Sequence, residues 1–301
     1  MRILLSPIMV AAIALAACHP GNEEAKRLRS SCAQGNVVDC NQFALRLQKG
    51  RYVLRDDGRA AELFDQACTG GVGDSCASLG VAYQKGTGVK RDSARAVSLF
   101  KSGCDQRAMD GCTRLGVLYH KGASVTKDVA RAATLFQQAC DGGSLTGCAN
   151  LGGLYSSGEG VAQDFARAAD LLKRSCDAHV ALGCVGLGRL HAAGTGVVHN
   201  DSIAAALYEQ ACDSAETTGC FYRAGALESG AGVTQNFTGA AQLYRQACEE
   251  RHGESCAKLA NLYERGAGVR RDADRAKTFL KRACDYGYAD ACEKPKPAAA
   301  T

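Results

Sequence analysis

Eight cysteines recur along this chain at a fixed 36-residue interval: Cys32, Cys68, Cys104, Cys140, Cys176, Cys212, Cys248 and Cys284. Each is followed eight residues later by a second: Cys40, Cys76, Cys112, Cys148, Cys184, Cys220, Cys256 and Cys292. A constant period of this length marks a repeat array, in which each unit buries its apolar face against its neighbours. The question is therefore what one 36-residue unit builds, and what stacking seven of them presents.

Sixteen of the 17 cysteines belong to these pairs, which leaves Cys18. It ends a stretch, Ile3 to Ala17, that is apolar apart from Ser6 and Pro7 and is preceded by Arg2. That layout is a secretory signal over residues 1–17, too short to span a membrane. Leu15-Ala16-Ala17-Cys18 resembles a bacterial lipobox, which implies lipidation of Cys18 and an anchor in the cell envelope. His19 after the cysteine resembles the outer-membrane sorting pattern. Export supplies the oxidising surroundings in which disulfides persist. Structural zinc sites space their ligand pairs about two to four residues apart, so the regular seven-residue gap reads as bridges and not metal. Removing residues 1–17 takes away one charge, Arg2, and lowers the formal charge from +5 to +4. No Lys/Arg run points to nucleic acid.

Two cysteines eight residues apart in one helix would stand about 12 Å apart, whereas a disulfide needs Cα atoms about 4.4–6.8 Å apart. The chain must turn back between them. Thr69-Gly70-Gly71 and Asp141-Gly142-Gly143-Ser144 are turn-like. Because a translated unit repeats its own bridge, the expected pairs are Cys32–Cys40, Cys68–Cys76, Cys104–Cys112, Cys140–Cys148, Cys176–Cys184, Cys212–Cys220, Cys248–Cys256 and Cys284–Cys292. Each staples one unit to the next and stabilises by about 2–3 kcal/mol.

Counting from the second cysteine, Gly stands ten residues on (Gly50 to Gly266), Val thirteen on (Val53 to Val269) and Ala twenty on (Ala60 to Ala276) in all seven units. Leu151, Leu154 and Tyr155 share one helix face, and Gly152 on that face admits close approach of another helix. Gly158 ends this helix, because glycine takes the left-handed conformation without strain. Asp164 is the N-cap candidate of a second helix whose buried stripe is Ala168, Leu171, Leu172 and Ser175. Helices of about 11 and 12 residues are unstable alone, so packing between units holds them.

The motif Leu151-Gly152, Tyr155, Gly158, Gly160-Val161, Asp164 and Ala168 resembles the Sel-one-like repeat, and the cysteine pairs resemble the Helicobacter cysteine-rich proteins within that family. The resemblance implies an all-α fold: a right-handed, TPR-like solenoid of seven helix–loop–helix repeats over residues 36–292. Residues 18–35 would supply the anchor, a short linker and a capping helix, and residues 293–301 a disordered tail. Three departures predict local irregularity. Arg51-Tyr52 replaces the glycine loop in the first unit, His191 replaces Tyr in the fifth, and the sixth has Arg223 for Leu and Leu227 for Tyr.

Members of the resembled family have been described as penicillin-binding or β-lactamase-like, which makes such a hydrolase the alternative function. Ser-x-x-Lys occurs at Ser98/Lys101, Ser124/Lys127 and Ser255/Lys258, but at three different phases of the repeat and without Ser-Asp-Asn or Lys-Thr-Gly. His179, His191 and His199 cluster in one unit at spacings that place them on a turn, a helix and a loop, so neither metal nor cofactor is expected. The positions that vary lie two and five residues after the second cysteine. In helical repeat arrays these first helices line the concave face, and Arg114, Asn150, Arg189, Tyr222 and Asn261 fall there. Asn bonds a peptide backbone through donor and acceptor, and Arg holds a carboxylate. The leading expectation is a monomeric, non-enzymatic envelope lipoprotein that binds a protein, peptide or peptidoglycan-derived ligand along this face.

Overall fold

The computed structural model describes residues 20–292. The signal segment, Cys18 and the tail 293–301 lie outside the described residues. Fifteen α-helices and one 3-10 turn account for the regular structure, with no strand among the described residues. By internal contacts the chain divides into two compact units, Met1–Gly147 and Cys148–Thr301.

In the N-terminal unit the helices are α1 (Pro20–Ala33), α2 (Val37–Lys49), α3 (Asp57–Thr69), α4 (Gly73–Lys85), α5 (Ser93–Asp105), α6 (Met109–Lys121) and α7 (Val129–Asp141). The division falls inside α8 (Leu145–Ser157). The C-terminal unit continues with α9 (Phe165–Asp177), α10 (Ala181–Ala193), α11 (Asp201–Asp213), α12 (Thr217–Ser229), α13 (Phe237–Glu249), α14 (Gly253–Arg265) and α15 (Ala273–Asp285), then the turn Ala289–Ala291. Even-numbered helices from α2 to α14 are the first helices of the seven repeats; odd-numbered helices from α3 to α15 are the second.

Every repeat helix is 13 residues long, slightly longer than the spacing predicts. The cysteines are the reason. The second cysteine sits one turn inside its helix and the first lies one residue before a helix end, so the turn between them is short. Cα separations of 4.4–4.8 Å join Cys32–Cys40, Cys68–Cys76 and Cys104–Cys112 in the N-terminal unit, and Cys176–Cys184, Cys212–Cys220, Cys248–Cys256 and Cys284–Cys292 in the C-terminal unit. Cys140 and Cys148 are also disulfide-bonded.

The second helices are capped as Asp164 predicts. Asp56, Asp92, Asp128, Asp164 and Asp272, with Asn200 and Asn236, each accept from a backbone N–H three residues on. Such a cap is worth about 1 kcal/mol. The recurrent Ala60 to Ala276 positions are 0–2% exposed, where a larger side chain would separate the paired helices. The close approach at the repeat glycine involves a side chain, not a backbone. A Cβ on Gly80, Gly116 or Gly188 would lie 2.6 Å from the ring of Phe100, Phe136 or Tyr208. The residue twenty-four after the second cysteine therefore lies flat across the first helix of its own repeat.

The departures are absorbed locally. Tyr52 adopts the left-handed backbone (φ 61°) that Gly88, Gly196, Gly232 and Gly268 take at the same loop position. Repeats 5 and 6 keep both helices at full length. The helix α1 buries Ala25, Leu28 and Cys32.

Candidate functional site

The five groove candidates have different surroundings. Arg114 donates from Nε to Asp110 one turn back on α6, at 2.6 Å. Asn261 accepts from Arg265 at 3.3 Å on α14. Asn150 is half-buried on α8. Arg189 and Tyr222 are brought together: the guanidinium lies 5.9 Å from the centre of the Tyr222 ring, which stacks on Tyr208 at 5.1 Å. Among the described residues Arg189 has no carboxylate within ion-pair distance.

These three residues border an open cavity of about 390 Å³ between α10, α11 and α12. From α10 come Arg189, Ala192 and Ala193, and from α12 Tyr222, Gly225 and Ala226, each set spaced along one helix face. Asp201, Ala204, Ala205 and Tyr208 of α11 close it. Tyr208 is 6% exposed. Its phenol is pushed up to about 12, first by burial and then by Tyr222, with Asp201 adding to the effect and Arg189 opposing it. It stays protonated and is a donor at neutral pH. Another cavity, of about 500 Å³, lies among α1, α2 and α3, but none of the five candidates lines it.

Sequence reasoning found Arg189 and Tyr222 through their variability but missed Tyr208, which sits at a packing position. The usable signal was there: the residues twenty-four after the second cysteine are Phe64, Phe100, Phe136, Leu172, Tyr208, Tyr244 and Leu280, so this position carries a hydroxyl in repeats 5 and 6 alone. A second missed pattern is a stack of Arg over the repeat tyrosine. Arg95 covers Tyr83, Arg131 covers Tyr119, Arg167 covers Tyr155 and Arg275 covers Tyr263. Repeats 5 and 6 lose both members together, with His191/Ile203 and Leu227/Gly239.

The remaining candidates are dispersed. Ser98 donates to the Arg95 carbonyl while Lys101 pairs with Asp105. Ser124 stands in a loop at φ 64°. Ser255 lies 2.8 Å from Nδ1 of His252, but it is fully buried, and the pair caps α14. His179 contacts Gln210, His191 the Val198 carbonyl and His199 Asp201, so the three rings serve separate local contacts.

The model of the Sel1 repeat matches seven times, over residues 40–72, 73–107, 110–144, 146–180, 181–215, 219–252 and 253–288. The chain belongs to the Sel1 repeat family. Among solved structures it is similar to c5321, described as a protective antigen present in uropathogenic Escherichia coli strains displaying an SLR fold. Identity is 26%, the TM-score is 0.63, and the match covers 89% of this chain and 57% of that one. The present chain thus spans little more than half of that protein. A Sel1 repeat protein from Oxalobacter formigenes matches at 20% identity and a TM-score of 0.62, over 89% of this chain and 78% of its own. Helicobacter pylori cysteine rich protein B matches at 25% identity and a TM-score of 0.34, over 41% of this chain and 88% of its own. Comparison with curated proteins gives no match. Sel1 repeats form an interaction scaffold, and the many disulfides suit an oxidising, exported setting. No helix among the described residues is long and apolar enough to cross a membrane.

Proposed function

We propose that this chain is an exported scaffold, held in the bacterial envelope by a lipid on Cys18, that binds a protein, peptide or peptidoglycan-derived partner along the face of its first helices. The observation that carries the reading is the division of labour within each repeat. The recurrent Cys, Leu, Gly and Ala positions are committed to packing, while the positions two and five after the second cysteine keep side chains at the surface. Arg189 and Tyr222, two of these variable residues, stand at the cavity between α10 and α12. An interaction face needs that combination of rigid support and varied polar contact.

In a pull-down from envelope extract, Arg114→Ala or Asn150→Ala should weaken capture of the bound partner by about 1–3 kcal/mol where the side chain makes a buried hydrogen bond. The melting temperature should barely move, because a surface change normally costs under about 0.5 kcal/mol. Cys18→Ser should release the chain from the membrane fraction. Capture unaffected by either groove variant removes the groove, and unchanged fractionation removes the anchor.

A further inference from the structure

The charge of this chain is concentrated at one end. Residues 60–292 carry 25 Lys/Arg and 25 Asp/Glu, whereas residues 20–59 carry eight and five. All the net charge of the described residues therefore lies in α1, α2 and the loop to α3. The five acids there are already engaged. Glu23 pairs with Lys26, Glu24 with Arg46, Asp39 with Arg27 and Asp57 with Arg55, and Asp56 caps α3. Among the described residues, Arg29, Lys49 and Arg51 have no carboxylate within ion-pair distance.

The loop from α2 to α3 is where the first repeat departs from the glycine pattern, as Arg51-Tyr52-Val53-Leu54-Arg55. Leu54 is 92% exposed and Tyr52 44% exposed. Val198 holds the place of Leu54 in repeat 5 and is 84% exposed, but Ala193 and Thr195 stand there for Lys49 and Arg51. The first repeat is thus set apart by an aliphatic tip with free cations beside it. The loop also meets the start of α1. A Cβ on Gly21 would lie 2.5 Å from the Tyr52 ring. An open cleft of about 500 Å³ runs between Pro20, Gly21, Arg46, Lys49, Arg51 and Tyr52, and Arg29 lines a neighbouring one with Tyr52 and Val53. Cys18 precedes Pro20 by two residues, a reach of at most about 7 Å. A lipid on Cys18 would enter a bilayer beside this loop.

Segments that sit at a membrane surface combine an apolar tip, an aromatic ring at headgroup level and cations for anionic lipid. We infer that the α2–α3 loop and the start of α1 form a docking face for an anionic phospholipid surface. Leu54 enters the acyl boundary, Tyr52 lies among the headgroups, and Arg29, Lys49 and Arg51 meet the phosphates. One aliphatic side chain and three cations hold weakly, so the lipid still decides fractionation and the face decides which end of the chain meets the membrane. The inference deepens the reading of a chain anchored through Cys18 and rests on it for the presence of a membrane. Vesicle co-sedimentation tests it with the mature, oxidised chain, residues 18–301, carrying Cys18→Ser so that no acyl chain contributes. Vesicles of phosphatidylglycerol and phosphatidylethanolamine in equal parts should be bound at least about tenfold more tightly than phosphatidylcholine vesicles. Leu54→Asp and Arg51→Glu should each weaken that binding about tenfold or more. Val198→Asp should leave it unchanged, and all three variants, at exposed positions, should melt with the parent. Binding of neither vesicle, or of both equally, overturns the docking face. A loss with Arg51→Glu but none with Leu54→Asp overturns the membrane in favour of a soluble phosphate, and an equal loss with Val198→Asp overturns the choice of loop. Anchor and face fail separately. Release of the full chain by Cys18→Ser without vesicle binding ends the face alone, whereas anionic binding with unchanged fractionation supports the face and ends the anchor.

Discussion

Repeats 5 and 6 place the same tyrosine at the same site and treat it in opposite ways. In repeat 6 the Tyr244 hydroxyl meets Glu228, and the side chain is 1% exposed. In repeat 5 the Tyr208 hydroxyl meets no acceptor and borders a cavity. A second contrast runs the other way. Repeat 5 has Leu187 at the apolar packing position, 8% exposed, whereas repeat 6 has Arg223 there. Arg223 pairs through Nη2 with Glu209 at 3.1 Å and leaves Nη1 buried without a partner. A solenoid can therefore keep a constant backbone while moving an unsatisfied polar group from one repeat to the next. In repeat 6 that group is locked inside; in repeat 5 it borders open space. The difference separates packing irregularity from a site.

The sharpest way to break the comparison is to exchange the packing residues. Leu187→Arg should destabilise by about 3–5 kcal/mol, because it buries a charge with no counter-ion. The position equivalent to Glu209 is Lys173, already paired with Asp177. The reverse change, Arg223→Leu, should stabilise by about 1–3 kcal/mol, since an apolar side chain replaces a largely buried guanidinium whose Nη1 has no partner. Chemical denaturation of both variants measures this. A stable Leu187→Arg would mean that the two repeats tolerate charge alike.

Removing the hydroxyls is the next test in size. Tyr244→Phe should cost about 1.5–3 kcal/mol, because Glu228 loses a charge-assisted bond. Tyr208→Phe should stay within about 0.5 kcal/mol of the parent, since no internal bond is lost. Equal losses in thermal melts would show that Tyr208 has an acceptor after all.

The smallest expected effect is at the turns. Ala215 holds φ 58° where Gly35, Gly71, Gly143 and Gly287 serve elsewhere. Ala215→Gly should stabilise by about 1 kcal/mol or less, as relief of the left-handed penalty exceeds the entropy glycine adds. A drop in melting temperature would place the strain elsewhere.

The architecture was legible because its determinants are local and repeat in register. Cysteine spacing forces a turn, the Asp or Asn at each second-helix start caps it, and Gly158 and its equivalents end the first helix. Helix length was underestimated because the cysteines looked like boundaries, although they lie inside helices. The cavity of repeat 5 was hidden for a different reason. It depends on Tyr208 crossing Gly188 and on Ala192 standing where Glu228 does one repeat later. Those three residues belong to different alignment columns, so only the ring's path across the first helix connects them. Arg189 and Tyr222 were legible as variable positions, but their meeting is a property of stacked helices.

The inter-repeat bridges have a consequence for proteolysis. Arg107 and Arg251 stand exposed at the tips of turns closed by Cys104–Cys112 and Cys248–Cys256. A trypsin-like protease that cuts after either residue severs the main chain inside a covalent ring. The two fragments stay joined, with their helices still docked, until a reductant arrives. Such a chain could be nicked in a protease-rich space and still migrate as one species on a non-reducing gel.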